Sequence, residues 1–182
     1  HALRKRGREF ALMAEMGFYN YDPRPADPYV FNFSNIPTAT MLSDILDILG
    51  IQMGGGSNRC MGAIGAAQID RWGNVNSVRM NGKFIVGSGG ANDIASSARE
   101  TLVVARQKKG AFVGQVEHIT CPGKRIRCVV TTEGRFEKND SDELILTGYW
   151  ADADKSEEAA VRGIRELVEW DLEISRSLER LS

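Results

Sequence analysis

The chain has 182 residues and a net charge of −1, with 42% hydrophobic and 26% charged residues. These values are typical of a globular protein and exclude a disordered tail or a fibre. The balance of 23 Lys and Arg against 24 Asp and Glu disfavours a general nucleic-acid binder or a binder of anionic membranes. No apolar run approaches the roughly 20 residues of a membrane span.

The cysteines bear on the cellular compartment, and the first residue bears on whether the N-terminus is native. Cys60, Cys121 and Cys128 share no CxxC spacing and form no disulfide framework, which favours a reduced, cytoplasmic setting. The chain starts at His1 rather than at Met, so we expect the native N-terminus to be missing.

The N-terminal third mixes one apolar run, a proline-rich stretch and one helical pattern. The run at residues 10–14 predicts a buried strand that ends at Glu15. Three prolines mark residues 19–35 as a loop. Apolar residues at helical spacing between residues 41 and 49 predict a helix that Thr38 or Thr40 caps and Gly50 ends.

The middle and C-terminal parts alternate apolar runs with helical segments. We expect strands at residues 61–69, 83–86, 101–105, 116–120, 126–131 and 144–149. Residues 92–100 are predicted as a helix, and a second helix begins after Ser156, where two acidic residues favour the first turn. This alternation predicts an α/β layer architecture with a more antiparallel C-terminal part. No linker interrupts the chain after residue 35, so one domain over residues 1–182 is expected.

The strongest local motif is a glycine loop, residues 87–92, between a predicted strand and a predicted helix. Its glycines, Gly87, Gly89 and Gly90, can turn successive backbone N–H groups toward one point. Such a point suits a phosphate, a carboxylate or the oxyanion of an acyl transfer. The loop matches neither GxGxxG nor a P-loop, and it is also compatible with a turn that only packs a helix on a sheet.

Three polar side chains at predicted strand ends are further candidates. Glu15 follows an apolar run, where a carboxylate is partly desolvated and could attack an acyl group. Gln68 and Asn76 flank a turn and could orient a carbonyl or a carboxylate. Each of these residues is also compatible with an ordinary surface or turn position. Ligand spacing for a metal is absent from the sequence, so no metal site is expected.

Together the motifs resemble those of a known family. The segments GAAQIDRWGNVNS at residues 65–77, GSGGANDIA at residues 87–95 and TCPG at residues 120–123 resemble the B subunits of glutaconate CoA-transferases, within the family I CoA-transferases. Their order and spacing match over residues 60–123, and a looser resemblance extends to residue 172. The resemblance implies the layered open sheet of the CoA-transferase fold.

The resemblance also implies roles for individual residues. Glu15-Met16-Gly17 occupies the place of the family's Glu-x-Gly motif, although Met16 stands where a small polar residue is usual. Glu15 is therefore expected to be the nucleophile, with oxyanion-binding N–H groups from Gly89, Gly90 and Ala91. The other expected contacts with substrate or CoA come from Gln68, Asn76, Gly87 and Asn92.

The function implied is transfer of CoA between an acyl-CoA and a carboxylic acid, through an acyl-glutamyl anhydride and a glutamyl-CoA thioester. CoA thioester enters as substrate, and no bound cofactor is expected. A partner A subunit, in an αβ or α2β2 hetero-oligomer, is implied as well. The fold also occurs in hydrolases and decarboxylases of CoA esters, so hydrolysis, C–C cleavage and decarboxylation stay open, as does a non-catalytic subunit that binds CoA esters.

Overall fold

The computed structural model describes residues 5–23, 33–150 and 155–181. The chain forms two compact units, His1–Asn58 and Arg59–Ser182. Each unit has its own secondary structure, and the expectation of one domain over residues 1–182 stays a prediction. Within the described ranges, no helix has both the length and the apolar character needed to cross a membrane.

The first unit contains a three-stranded antiparallel sheet. Its strands are β1 (Met13–Ala14), β2 (Phe18–Tyr19) and β3 (Met41–Leu42), and they lie in that order. The predicted buried strand at residues 10–14 is wrong in both extent and burial, since Phe10 is 39% exposed and only Ala14 is buried. The reason is that β1 is an edge strand, and only Met13 and Ala14 of the predicted run pair with a neighbouring strand.

The predicted helix after Thr38 is replaced by other elements. A 3₁₀ helix spans Phe33–Thr38, and the Thr38 hydroxyl donates to the Asn35 carbonyl at 2.7 Å, so it does not cap a following helix. A wide π-type helix then spans Leu46–Met53, with Gly50 inside it. Gly50 lacks the positive φ of a helix-ending glycine.

The predicted loop at residues 19–35 is confirmed for residues 20–23. At its edges, β2 takes residue 19 and the 3₁₀ helix takes residues 33–35. Residues 24–32 lie outside the described part of the chain.

The second unit is built on a six-stranded sheet. Its strands are β4 (Met61–Gly65), β9 (Glu100–Ala105), β11 (Ile126–Thr131), β12 (Gly134–Lys138), β13 (Leu144–Trp150) and β14 (Ile174–Leu181). They lie in the order β14-β13-β12-β11-β9-β4. Strands β4, β9 and β11 are parallel, β12 is antiparallel to both neighbours, and β14 is parallel to β13. The predicted α/β sheet with a more antiparallel C-terminal part is confirmed.

Two smaller sheets lie between β4 and β11 in sequence. One consists of β5 (Gln68–Asp70), β6 (Val75–Asn76) and β10 (Phe112–Val113), with β5 in the middle, and the other is the hairpin of β7 (Arg79–Met80) with β8 (Lys83–Phe84). The single strand predicted at residues 61–69 is therefore wrong, because β4 and β5 belong to different sheets. The strand predicted at residues 83–86 shortens to β8.

The strand predicted at residues 116–120 is also wrong. In this stretch the chain meets β6 only at its end, where Val75 and Cys121 form one isolated antiparallel bridge. Residues 112–113, which were not predicted as a strand, instead pair in parallel with β5. After β10 ends at Val113, residues 114–120 have bend or irregular backbone and pair with no strand.

The described part of this unit also contains two α-helices and a 3₁₀ helix at Gly123–Arg125. Helix α1 spans Ala91–Ser97, close to the predicted 92–100, and stops because Ala98 is extended at ψ 150°. Helix α2 spans Glu157–Arg165 and begins as predicted, with the Ser156 side chain accepting a hydrogen bond from the Ala159 N–H.

The core of the second unit joins the six-stranded sheet to the β10-β5-β6 sheet and to both helices. Phe112 of β10 is fully buried and packs on Phe136, with ring centroids 5.2 Å apart, and on Trp170 at 6.1 Å. The core includes Ile64, Ile69, Val75, Ala95, Val103, Val129, Leu146 and Ile164. This packing holds the segments after β4 and β6 on a rigid base.

Candidate functional site

The glycine loop, residues 87–92, follows the β7–β8 hairpin and leads into α1. Gly89 has φ +53°, a conformation that glycine adopts without strain. Residues 81–89 are all exposed, whereas Gly90 is buried. The predicted placement of the loop between a strand and a helix is confirmed.

The Ala91 N–H, which was predicted to help bind an oxyanion, has an acceptor within the loop. The Ala91 N–H donates to the Ser88 carbonyl at 3.2 Å, which closes a tight turn, and the Gly90 carbonyl accepts from Ile94 at 2.9 Å as α1 begins. The turn thus sets the direction of the peptide groups of Gly89 and Gly90 relative to the helix axis.

Helix α1 runs antiparallel to β4, which places the glycine loop toward the carboxyl end of that strand. A Cβ on Gly62, near the start of β4, would lie 2.5 Å from Ile94 Cγ2 and 3.3 Å from Ala98 Cβ. The Arg99 N–H donates to the Cys60 carbonyl at 3.0 Å, just before β4. The C-terminus of α1 therefore meets the beginning of β4, and its N-terminus points the other way. Ligands of open α/β sheets bind outside the carboxyl ends of parallel strands.

Gln68 and Asn76 face each other across β5 and β6 and bind each other. The Asn76 amide nitrogen donates to Gln68 Oε1 at 3.0 Å and also to the Arg79 carbonyl, while the Gln68 amide nitrogen donates to the Gly110 carbonyl at 3.1 Å. Asn76 is fully buried. Both amide nitrogens are thus used inside the protein, where they hold the β5–β6 turn, the β7 strand and the loop before β10 together.

Thr120 joins this pair to the glycine loop, a role that sequence reasoning missed. Its hydroxyl accepts from the Ser77 N–H at 3.0 Å, and its carbonyl accepts from the Asn92 amide nitrogen at 2.7 Å. The Ser77 hydroxyl in turn accepts from the Ala67 N–H, just after β4, at 3.4 Å. The signal in the sequence was the position of Thr120 at the start of the TCPG motif.

Asp70 is a second residue that the sequence indicated only as part of a turn. Its carboxylate is fully buried and accepts from the N–H groups of Trp72 at 3.1 Å and Asn74 at 2.9 Å, and from the Asn74 amide at 3.1 Å. The side-chain carbonyl oxygen of Asn74 accepts from the Gly123 N–H at 2.9 Å. Asp70 therefore shapes the DRWGN turn, residues 70–74, and Asn74 fastens it to the TCPG motif.

Glu15 lies in the first unit, in the turn between β1 and β2, and it is half-buried. The Gly17 N–H donates to the Ala14 carbonyl at 3.0 Å and closes that turn. Gly17 has φ +115°, and a Cβ there would stand 2.1 Å from the Ser43 carbonyl oxygen. Only glycine fits, so the Glu-x-Gly spacing has a steric cause: Gly17 sets the turn that carries Glu15.

Two cysteines of the second unit are poor nucleophiles. Burial raises the pKa of Cys121 to about 11, and burial together with the nearby Glu137 carboxylate raises the pKa of Cys128. Both thiols are therefore protonated near neutral pH. In the part of the chain that the structure describes, no group of three His, Cys, Asp or Glu side chains is arranged to hold a metal ion.

The sequence comparisons identify relatives among CoA-transferases. No protein-family model matches the chain. The chain is 38% identical over 72 residues to the B subunit of glutaconate CoA-transferase from Acidaminococcus fermentans, covering 37% of this chain and 27% of the relative. It is 39% identical over 69 residues to the B subunit of 3-oxoadipate CoA-transferase from Pseudomonas knackmussii, covering 35% and 26%. The matched part thus spans about a quarter of these relatives' length.

Solved structures extend the likeness to nearly the whole fold. Glutaconate CoA-transferase from Acidaminococcus fermentans superposes with a TM-score of 0.78 at 23% identity, covering 92% of this chain and 71% of that one. The decarboxylase AibA/AibB superposes with a TM-score of 0.77 at 19% identity, covering 94% and 70%. The chain has the CoA-transferase fold, and its predicted resemblance to the B subunits of glutaconate CoA-transferases is confirmed.

Proposed function

We propose that this chain is the B-type subunit of a CoA-transferase. The observation that carries the proposal is the 38% and 39% identity to two curated proteins that are both B subunits of CoA-transferases. The fold supports it, and so does the glycine loop, which lies toward the carboxyl end of β4, where α/β proteins bind ligands.

Glu15 is the nucleophile in this proposal. Its carboxylate oxygen attacks the carbonyl carbon of an acyl-CoA, the C–S bond breaks, and CoA thiolate leaves a mixed anhydride. The thiolate then attacks the glutamyl carbonyl of that anhydride, which forms a glutamyl-CoA thioester and releases the donor carboxylate. An acceptor carboxylate takes the CoA by the same steps in reverse.

The glycine loop is the proposed oxyanion site. Its proposed donors are the backbone N–H groups of Gly89, Gly90 and Ala91, and the Ala91 N–H leaves the Ser88 carbonyl in order to donate. Removal of one such donor costs roughly 3–4 kcal/mol in other enzymes. Gly87 and Asn92 flank the proposed site. Gln68 and Asn76 stabilise the neighbouring β5–β6 turn through the hydrogen bond between their side chains.

The relatives' names support a partner subunit. Both curated relatives are named as the B subunits of their enzymes, so an A-type subunit is the proposed partner, in an αβ or α2β2 assembly. CoA thioester is the substrate, without a bound cofactor. The cytoplasmic location expected from the free cysteines is part of the same proposal.

Trapping of the covalent intermediate tests the mechanism. The chain and its A-type partner are incubated with glutaconyl-CoA or 3-oxoadipyl-CoA and analysed by intact mass spectrometry and peptide mapping. We expect a CoA adduct on Glu15, and loss of both adduct and transfer in Glu15→Gln. Glu9→Gln, an exposed carboxylate six residues earlier, is the matched control and should behave as wild type. Full transfer by Glu15→Gln would refute the covalent route.

A decarboxylase is the second candidate, because the AibA/AibB decarboxylase superposes almost as well as the transferase does. Met16 beside Glu15 also departs from the small polar residue usual in transferases. Consumption of the acyl-CoA without any acceptor acid, with release of CO₂, distinguishes this reaction from transfer. Release of free CoA and the acid instead would indicate hydrolysis.

A further inference from the structure

Thr120, in the TCPG motif, forms hydrogen bonds with the motif at residues 65–77 and with the motif at residues 87–95. The Ser77 N–H donates to its hydroxyl at 3.0 Å, and the Asn92 amide nitrogen donates to its carbonyl at 2.7 Å. Thr120 is only 4% exposed. Because Asn92 lies in the first turn of α1 and Ser77 directly after β6, this one residue ties the start of the helix to the β5–β6 sheet.

The backbone of Thr120 is itself held in place. Its N–H donates to the Val75 carbonyl at 2.8 Å, and the Val75 N–H donates to the Cys121 carbonyl at 2.9 Å. Val75 and Cys121 are both fully buried. These backbone bonds and the bond from the Ser77 N–H to the Thr120 hydroxyl together set the direction of the carbonyl that receives Asn92.

The glycine loop, in contrast, leads into a helix with little stability of its own. Gly90, the N-cap of α1, offers no side-chain hydrogen bond to the helix, and α1 is only seven residues long. A short helix without a cap is marginal unless tertiary contacts hold it. Residues 81–89 before it are exposed. The bond from Asn92 to Thr120 is thus a polar link between the beginning of α1 and the core.

We propose that Thr120 and Asn92 are positioning residues that fix the glycine loop. This inference rests on the proposed function in one respect, namely that the loop acts on a thioester. Asn92 then works through Thr120 and not by contact with CoA, and Thr120 works through its hydroxyl bond to Ser77 and its carbonyl bond to Asn92.

Amide hydrogen exchange of the full chain tests the link without any substrate. Asn92→Ala should raise the exchange rate of the amides of residues 87–92 about fivefold, the effect expected from loss of one hydrogen bond. Ser96→Ala shortens an exposed side chain in the same helix, outside the motif at residues 87–95, and is the matched control. Equal exchange in Asn92→Ala and Ser96→Ala would overturn the proposal.

A second pair of variants separates the Thr120 hydroxyl from its packing. Thr120→Val removes the hydroxyl and nearly keeps the shape, so the Ser77 N–H loses its acceptor and residues 87–92 should exchange faster. Thr120→Ser keeps the hydroxyl and should exchange as wild type. Faster exchange in Thr120→Ser but not in Thr120→Val would show that packing matters, and would overturn the role given to the hydroxyl.

Kinetics with the A-type partner and glutaconyl-CoA then test the consequence for the reaction. We expect Asn92→Ala and Thr120→Val to lower kcat about tenfold with KM for the acyl-CoA within about twofold, since a misplaced oxyanion site weakens transition-state binding alone. Thr120→Ser and Ser96→Ala should match wild type. Raised KM at unchanged kcat would instead make Asn92 a binding contact and overturn the proposal.

Amide exchange and kinetics distinguish failure of the proposed function from failure of the positioning role. A wild-type protein that shows no turnover and no CoA adduct refutes the proposed function and the catalytic consequence together, while the exchange data still decide whether Thr120 and Asn92 hold the loop. Turnover with a normal adduct but unchanged exchange in both variants refutes the positioning role alone.

Discussion

Gly123 lies against the backbone of Trp72 so closely that a Cβ on Gly123 would stand 2.2 Å from the Trp72 carbonyl oxygen. The same glycine donates its N–H to the Asn74 side chain at 2.9 Å. Two motifs that lie about 50 residues apart in the sequence therefore meet backbone to backbone, and the contact requires a residue without a side chain.

Substitution of Gly123 should be strongly destabilising. In Gly123→Ala the new methyl group would also stand 2.7 Å from Gly73 C and 2.8 Å from Asn74 N, and neither backbone can move freely. We expect a loss of about 3 kcal/mol in the free energy of unfolding, measured by urea denaturation.

Gly163→Ala provides the matched control for that substitution. Gly163 lies in α2, with nothing within 4 Å of a Cβ, so alanine should stabilise the protein by about 0.5–1 kcal/mol through its higher helix propensity. A Gly123→Ala variant as stable as wild type would contradict the close contact.

Loss of the Asp70 carboxylate should destabilise the DRWGN turn. Asp70→Ala leaves the N–H groups of Trp72 and Asn74 without their acceptor, and hydrogen bonds to a charged group contribute about 1.5–3 kcal/mol each. We expect a decrease of about 3 kcal/mol in the free energy of unfolding. Asp171→Ala, at an exposed position, should change it by no more than about 0.5 kcal/mol, and equal effects of the two would argue against the turn.

Gly17→Ala should disrupt the turn that carries Glu15. The alanine Cβ would lie 2.1 Å from the Ser43 carbonyl oxygen, at a φ of +115°, so the β1–β2 turn and its contact with Ser43 cannot both persist. Amide exchange over residues 13–19 should accelerate at least about tenfold. Gly50→Ala, where a Cβ meets nothing within 4 Å, should leave exchange there unchanged, and an equal response of both variants would contradict the steric role of Gly17.

The buried Cys121 thiol should make stability fall at high pH. Its pKa is raised to about 11 in the folded protein from 9.0, so the unfolded chain releases the proton first. The thiol's contribution to stability is therefore fully present below about pH 9 and is lost as the pH rises toward 11. At about pH 10 the loss is about 1.4 kcal/mol.

Comparison with Cys121→Ala isolates this contribution, because other groups titrate equally in both proteins. The difference in the free energy of unfolding between wild type and Cys121→Ala should shrink by that amount between about pH 8 and about pH 10. A difference that stays constant over this range would show that the thiol does not titrate as its burial implies.

Local patterns predicted several elements well. The β-branched run of β11 and the apolar run of β13 were placed within one residue of their observed ends, and Ser156 was placed correctly before α2. These elements lie in the interior of the sheet or have a capping side chain within three residues. In such cases the local sequence and the tertiary environment favour the same conformation.

Predictions failed where the pairing partner lies far along the chain. Residues 61–69 form one apolar run, but β4 pairs with β9 while β5 pairs with β6 and β10. The sequence also does not show that the Asn76 amide nitrogen donates to the Gln68 side-chain oxygen. Hydrophobic periodicity does not encode which strand a segment joins or where a side-chain amide finds its partner.

The sequence by itself determined the class of the fold, the order of its motifs and the candidate positions for backbone turns, because these depend on hydrophobic spacing and on the conformational freedom of glycine. Only the tertiary structure decided that Thr120 links Ser77 to Asn92, and that Asn74 fastens its turn to the TCPG motif. Hydrogen bonds between residues so far apart in the chain arise from how the sheets bring the chain back on itself, and no local pattern specifies them.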